Sequence, residues 1–143
     1  MFVGEYQHTI DEKRRISMPA KFRPDLEGGA VVTIGFDKSL VVYPAAEWQD
    51  FSKKWGSLPL STEAARSFSR IMLAGAAQVE FDKLGRMLIP ENLKQYAGLG
   101  KEATVIGLFN RIEIWDTQKW GEYKAKAQNN LEQMSEQLKD LGI

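Results

Sequence analysis

The sequence predicts an α+β chain built from two tandem copies of one hairpin-containing β unit, with a connecting helix between them and a helix at the C-terminus. Three observations predict it: an internal repeat at an offset of 71–72 residues, short apolar runs bounded by turn residues, and apolar positions recurring every three or four residues between and after the copies. The expected segments are a first unit at 5–47, a helical connector at 48–75, a second unit at 76–119 and a C-terminal helix at 120–143.

The repeat is legible residue by residue. Ile10-Asp11-Glu12-Lys13-Arg14-Arg15-Ile16-Ser17-Met18-Pro19 lies over Phe81-Asp82-Lys83-Leu84-Gly85-Arg86-Met87-Leu88-Ile89-Pro90, with Asp, Arg and Pro coinciding. Further along, Thr33-Ile34-Gly35-Phe36 matches Val105-Ile106-Gly107-Leu108, Leu40–Tyr43 matches Ile112–Trp115, and Trp48 matches Trp120. Each copy reads as strand, tight turn, strand, short helix and hairpin.

In the first copy, Glu12-Lys13-Arg14 separates a strand at Tyr6–Ile10 from one at Arg15–Met18. In the second, Lys83-Leu84-Gly85 separates Gln78–Phe81 from Arg86–Ile89. Pro19 and Pro90 suit the first turn of a short helix, where a missing N–H is harmless, and Gly98 suits the position just past a helix end. Val31–Gly35 with Leu40–Tyr43, and Thr104–Leu108 with Ile112–Trp115, read as hairpins. In the connector, Leu58-Pro59 is a stop and Ser61 a candidate cap. Ala65, Phe68, Ile71 and Met72 form the stripe of a helix ended by Gly75. From Thr117 onward Trp120, Tyr123, Ala127, Leu131, Met134, Leu138 and Leu141 mark one long helix with a single apolar face.

Composition narrows the function. The 143 residues carry 19 basic and 19 acidic side chains, so any nucleic-acid surface is a local patch rather than a property of the whole chain. Cysteine is absent, which removes disulfides and thiolate metal sites, and the single histidine, His8, cannot assemble a zinc set; neither metal nor cofactor is expected. The opening residues lack a basic stretch followed by an apolar run, and no run of about 18 apolar residues occurs, so neither export nor a membrane span is expected. There is no nucleophile at a strand-to-helix elbow and no glycine-rich phosphate loop, and the acidic residues are scattered, so the chain does not read as an enzyme. The four tryptophans read as packing residues rather than stacking platforms.

The chemistry concentrates in the two Asp-x-x-x-Arg turns. An Asp four residues before an Arg across a tight turn can accept turn N–H groups with one oxygen and meet the returning guanidinium with the other. Asp11 and Asp82 are the expected organisers. Lys13, Arg14 and Arg15 on the first turn, and Lys83 and Arg86 on the second, are the candidate DNA contacts, since cations on a protruding ribbon can pair with phosphates and an Arg fork can reach guanine O6 and N7. Residues 11–23 sum to +3 and residues 82–94 to +1, which makes the first turn the expected reader. A purely structural reading, in which both turns only hold hairpins shut on a ring-forming scaffold, stays open.

The opening Met1–Asp11, the paired Asp-x-x-x-Arg motifs, Pro44-x-x-x-Trp48 and Val105–Trp115 together resemble the MraZ family over nearly the whole chain. The resemblance implies a duplicated unit similar to the swapped-hairpin domain of AbrB-like regulators, interleaved into a compact pseudo-symmetric barrel. It further implies a cytoplasmic, nucleoid-associated transcriptional regulator that forms ring-like homo-oligomers. Such a regulator binds short repeated sites in double-stranded DNA upstream of the cell-division and cell-wall gene cluster. Arg15 would then be the foremost DNA contact, with Lys13 and Arg14 beside it and Arg86 in the corresponding place. One departure stands out: the family usually has glycine before the motif arginine, as Gly85 precedes Arg86, whereas here Arg14 precedes Arg15. A left-handed backbone at Arg14 would cost roughly 1 kcal/mol. The side chain could equally add a phosphate contact.

Overall fold

A computed structural model describes all of residues 1–143. Its strands are β1 (Phe2–Thr9), β2 (Arg15–Ser17), β3 (Ala30–Ile34), β4 (Leu40–Pro44), β5 (Ala77–Val79), β6 (Arg86–Leu88), β7 (Glu102–Phe109) and β8 (Ile112–Asp116). Helices are α1 (Ala45–Gly56), α2 (Glu63–Ala74), α3 (Glu91–Ala97), α4 (Thr117–Asn129) and α5 (Leu131–Gln137).

The two copies are interleaved. Six strands form one antiparallel sheet in the order β1-β7-β8-β4-β3-β5, while β2 and β6 pair as a separate two-stranded ribbon. The first strand of each copy pairs with the third strand of the other, β1 with β7 and β5 with β3, and the last strands, β4 and β8, meet at the centre. Within a copy the strands pair in the hairpins β3/β4 and β7/β8, and a single bridge closes each Asp turn, Ile10 with Ile16 and Phe81 with Met87. The strand order is therefore a palindrome about the β8–β4 junction.

The expected barrel does not close. β1 and β5 remain the two edges of an open sheet, and β5, only three residues long before the chain enters the Asp82 turn, is too short to bridge to the eight-residue β1.

One core serves both copies. Alternation turns Ala30, Val32, Leu40, Val42, Ala103, Val105, Ile112 and Ile114 inward from the sheet, where they meet Ile16 and Met18 of one copy and Met87, Ile89 and Leu93 of the other. Phe2 and Tyr6 close one side edge-on against Phe22, at centroid separations of 5.2 and 5.4 Å. Gly4 and Gly107 face each other across β1 and β7, and a Cβ on Gly107 would lie 2.6 Å from the backbone of Phe2.

The outer face of the sheet takes the helices. Tyr43, Trp48, Phe51, Trp55 and Phe68 pack together where α1 and α2 cover β4, and Trp115, Trp120 and Tyr123 do the same where α4 covers β8. Trp48 and Trp120 thus occupy matching places, as the repeat predicts.

Four local expectations change. The connector holds two helices rather than one, and Thr62, not Ser61, caps α2, its hydroxyl accepting from the Ala65 N–H. After Pro19 the chain makes two short 3-10 turns, Ala20–Phe22 and Pro24–Leu26, because Pro24 cannot continue a helix; the second copy has Gln95 at that place, and α3 runs on to a left-handed Gly98 with φ 60°. The long C-terminal helix is broken at Asn130, whose side-chain amide donates to the Lys126 carbonyl. No residue of α4 or α5 is fully buried; Trp120 and Tyr123 pack on Trp115, whereas Leu131, Leu138 and Leu141 at the distal end of the stripe are exposed. No helix is long and apolar enough to cross a membrane.

Candidate nucleic-acid interface

The two turns have one geometry. Asp11 Oδ1 accepts the N–H groups of Lys13 and Arg15 at 2.9 and 2.8 Å, and its Oδ2 accepts Arg15 Nε at 2.8 Å. Asp82 Oδ1 accepts the N–H groups of Leu84 and Arg86, both at 2.9 Å, and its Oδ2 accepts Arg86 Nε at 2.7 Å. The backbone of each turn closes in the same way, Arg14 N–H to Asp11 O and Gly85 N–H to Asp82 O. The Arg15 N–H above all, then its guanidinium and the Lys13 N–H, hold the Asp11 carboxyl below the ordinary aspartate range, outweighing the upward push of burial. Arg86 and Leu84 do the same for Asp82. Both carboxylates are therefore ionised organisers, and each fixes its arginine through Nε while leaving the Nη groups for another acceptor.

The ribbon brings these turns together. β2 and β6 cross with Ile16 opposite Met87, both fully buried; alternation puts Arg15, Ser17, Arg86 and Leu88 on the outward face. Met18 N–H donates to Gly85 O at 2.9 Å and Ile89 N–H to Arg14 O at 2.8 Å, so each strand of the ribbon ends against the turn of the other copy. Arg86 Nη1 comes within 3.9 Å of Asp11 Oδ2, which joins the two turns into one patch. Lys13 and Lys83 are exposed at the tips. All seven residues singled out in the sequence, Asp11, Lys13, Arg14, Arg15, Asp82, Lys83 and Arg86, thus lie on these two adjoining turns.

Two residues with no assigned role join them. Leu88, 53 % exposed, is an apolar side chain in an otherwise charged surface; its repeat partner is Ser17, and the signal for it was the period-two alternation of β6. Arg23 belongs to the first copy in sequence but lies on the second turn, where a Cβ on Gly85 would fall 2.5 Å from its Cζ. Its Nε donates to Met18 O at 2.9 Å, and it lines an open cleft of about 420 Å³ with Glu27, Asp82, Lys83 and Gly85. The +3 against +1 contrast is accordingly a property of linear windows and not of the folded turns. Interleaving moves Arg23 from the first total to the neighbourhood of the second, and no local sequence signal reveals a pairing between copies.

Arg14 adopts φ 60°, the left-handed backbone that Gly85 adopts at φ 76°, so the strain expected of a side chain there is present. Its Nε donates to Ile89 O at 3.1 Å, a partly buried bond that offsets the cost. His8 stands apart from this chemistry. Its Nε2 is buried without a hydrogen-bond partner, and burial, with Arg23 nearby, pushes its pKa down. No group of three or more His, Cys, Asp or Glu side chains is arranged to hold a metal.

Comparison with known proteins gives the same duplication. The profile of the family described as "MraZ protein, putative antitoxin-like" matches twice, over residues 1–71 and 72–141. A protein of Halothermothrix orenii named transcriptional regulator MraZ is 48% identical over 143 residues, covering 100% of each chain. Proteins of the same name from Syntrophomonas wolfei and Clostridium beijerinckii are 46% and 47% identical, again over the full length of both chains. With two profile matches spanning nearly all of it and relatives of this similarity end to end, the chain belongs to the MraZ family.

Proposed function

We propose that this chain is a sequence-specific DNA-binding transcriptional regulator that reads double-stranded DNA with its two Asp-x-x-x-Arg turns. One observation carries the reading: the turns of the two copies, at 5–47 and 76–119, adjoin on a single two-stranded ribbon, each holding an arginine by Nε, with Arg86 Nη1 reaching toward Asp11 across the junction. A ribbon of that width fits the major groove, where such a fork matches guanine O6 and N7. The names of the relatives support a regulator. Following the family resemblance, the targets are short repeated promoter sites upstream of the cell-division and cell-wall gene cluster, and the setting is the cytoplasm and nucleoid.

Affinity comes from repetition. The chain is neutral overall, so one pair of turns is a modest binder; a ring-like homo-oligomer facing repeated sites gains about 10²–10⁴ in avidity where spacings match. The exposed leucines at the C-terminal end of the stripe, Leu131, Leu138 and Leu141, support self-assembly. Selection of bound fragments from random duplexes, followed by binding of Arg15→Ala and Arg86→Ala to the selected site, tests the reading. Loss of specific binding with the native mass of the assembly retained is expected. Wild-type affinity in both variants, or no retention of the native protein on DNA at low salt, overturns it in favour of a scaffold whose turns are only structural.

A further inference from the structure

The two copies solve one problem with different residues. At each end of the ribbon the residue preceding a proline, Met18 before Pro19 and Ile89 before Pro90, donates its N–H to the left-handed residue of the opposite turn, Gly85 and Arg14 respectively, and its own carbonyl, Met18 O or Ile89 O, makes a second contact. Each of these carbonyls accepts a guanidinium Nε, at 2.9 Å for Met18 and 3.1 Å for Ile89. At the second turn that guanidinium comes from Arg23 and occupies the space above Gly85. At the first turn it comes from Arg14, the residue at the glycine position itself.

The repeat makes the exchange explicit. The counterpart of Gly85 is Arg14, and the counterpart of Arg23, at the offset of 71, is Lys94 on α3. The second turn therefore combines glycine on the turn with arginine from the segment after the ribbon; the first combines arginine on the turn with lysine there. One guanidinium is anchored at the same place in both halves, delivered from two different backbone positions. Neither has a protein carboxylate within ion-pair distance, in contrast to Arg15 and Arg86, which are paired to Asp11 and Asp82.

We infer that Arg14 and Arg23 are equivalent phosphate-binding residues, one beside each turn, so that both halves of the chain engage DNA with two arginines. This rests on the DNA-binding reading above. Arg15 and Arg86 stand on the outward face of the ribbon, in register with Leu88 and Ser17; Arg14 and Arg23 are tied to carbonyls just past the ribbon's ends, the flanking place from which a cation meets the groove wall rather than its floor. Anchoring through Nε fixes the fork before DNA arrives, and the absence of a carboxylate leaves its charge for phosphate.

The test is the salt dependence of binding by the full-length assembly to its selected duplex and to an unrelated one. Arg23→Gln, whose amide can still donate to Met18 O, and Arg14→Gly are each expected to weaken binding to both duplexes. Each should also reduce the slope of log K against log salt by about 0.9 for every contact removed. The double variant Arg14→Gly with Lys94→Arg rebuilds at the first turn the arrangement of the second, and is expected to recover the wild-type slope. Thermal midpoint and native mass, measured alongside, register any purely structural effect, which would not move the slope. A wild-type slope in Arg23→Gln and Arg14→Gly, or no recovery in the double variant, overturns the inference. If Arg15→Ala and Arg86→Ala also bind normally, it is the DNA-binding reading itself that fails.

Discussion

Ile16 and Met87 offer the sharpest test of interleaving, because they come from different copies, pair across β2 and β6, and are both 0 % exposed. Truncating either to alanine removes a fully buried side chain from the crossing point of the shared core, a change that costs about 2–5 kcal/mol. Taking about 3 kcal/mol, and roughly 3 °C per kcal/mol for a chain of this size, Ile16→Ala and Met87→Ala should each lower the thermal midpoint by about 10 °C. Chain concentration must be held constant, since assembly makes the midpoint concentration-dependent. Differential scanning calorimetry reads the outcome. Both variants should show one transition displaced by similar amounts, since each cavity opens in the core that both copies share. Two separated transitions in either variant, with half the enthalpy unmoved, would mean that the copies fold as independent tandem domains. A fall under 3 °C would mean that the crossing contributes little.

Three further outcomes follow from the same contacts. The sole histidine, His8, should titrate below the ordinary histidine range in an NMR titration, because burial and then Arg23 disfavour its cation. Its share of stability is then present above the unfolded-state pKa and lost as pH falls through the folded one; Arg23→Gln should raise the titration midpoint, and an unmoved midpoint would contradict the proximity of the two. Burial pushes the Glu113 carboxyl up, although Trp115 Nε1 donates to it at 2.9 Å. Glu113→Gln, which keeps that acceptor, should therefore raise the thermal midpoint at neutral pH. The gain should vanish at acid pH, where the wild-type carboxyl is protonated; a lower midpoint at neutral pH would refute this. Ending the chain at Asn130 removes no buried residue, so the native mass should fall and the midpoint should drop only by the share that assembly contributes, becoming less dependent on chain concentration; an unchanged mass would exclude the tail from assembly.

The sequence made the repeated parts visible because they are local. The Asp-x-x-x-Arg turns, the two hairpins and the matched Trp48 and Trp120 each depend on residues close together in the chain, and each is found where its pattern puts it. What escaped is non-local or turns on a single residue. Nothing in β1 or β7 taken alone says that Tyr6 will face Val105, so the interleaving and the edges left at β1 and β5 were hidden, as was the passage of Arg23 to the second turn. Pro24 and the Asn129-Asn130 pair were in plain view. The first divides the segment after Pro19 into two 3-10 turns and the second breaks the C-terminal helix, because apolar periodicity takes no account of a missing N–H or of poor helix formers.

The pairing of Arg15 and Arg86 with aspartates bears on how a neutral chain can discriminate among DNA sequences. An arginine ion-paired to a carboxylate adds little net charge, so it contributes little to the indiscriminate attraction that phosphates exert on free cations. It keeps its Nη donors and has them pre-oriented, which is what recognition of a base edge requires. On the proposed function, the turn separates the two demands: Arg15 and Arg86, neutralised and held in place, carry discrimination, while Lys13 and Lys83 at the exposed tips supply charge. Removing a tip lysine should then weaken binding to selected and unrelated duplexes alike. Removing Asp11 or Asp82 should do the opposite to the balance, freeing a cation, raising unspecific binding at low salt and eroding the preference for the selected site. An aspartate variant that lost affinity for both duplexes equally would show that the carboxylates serve only to fold the turn.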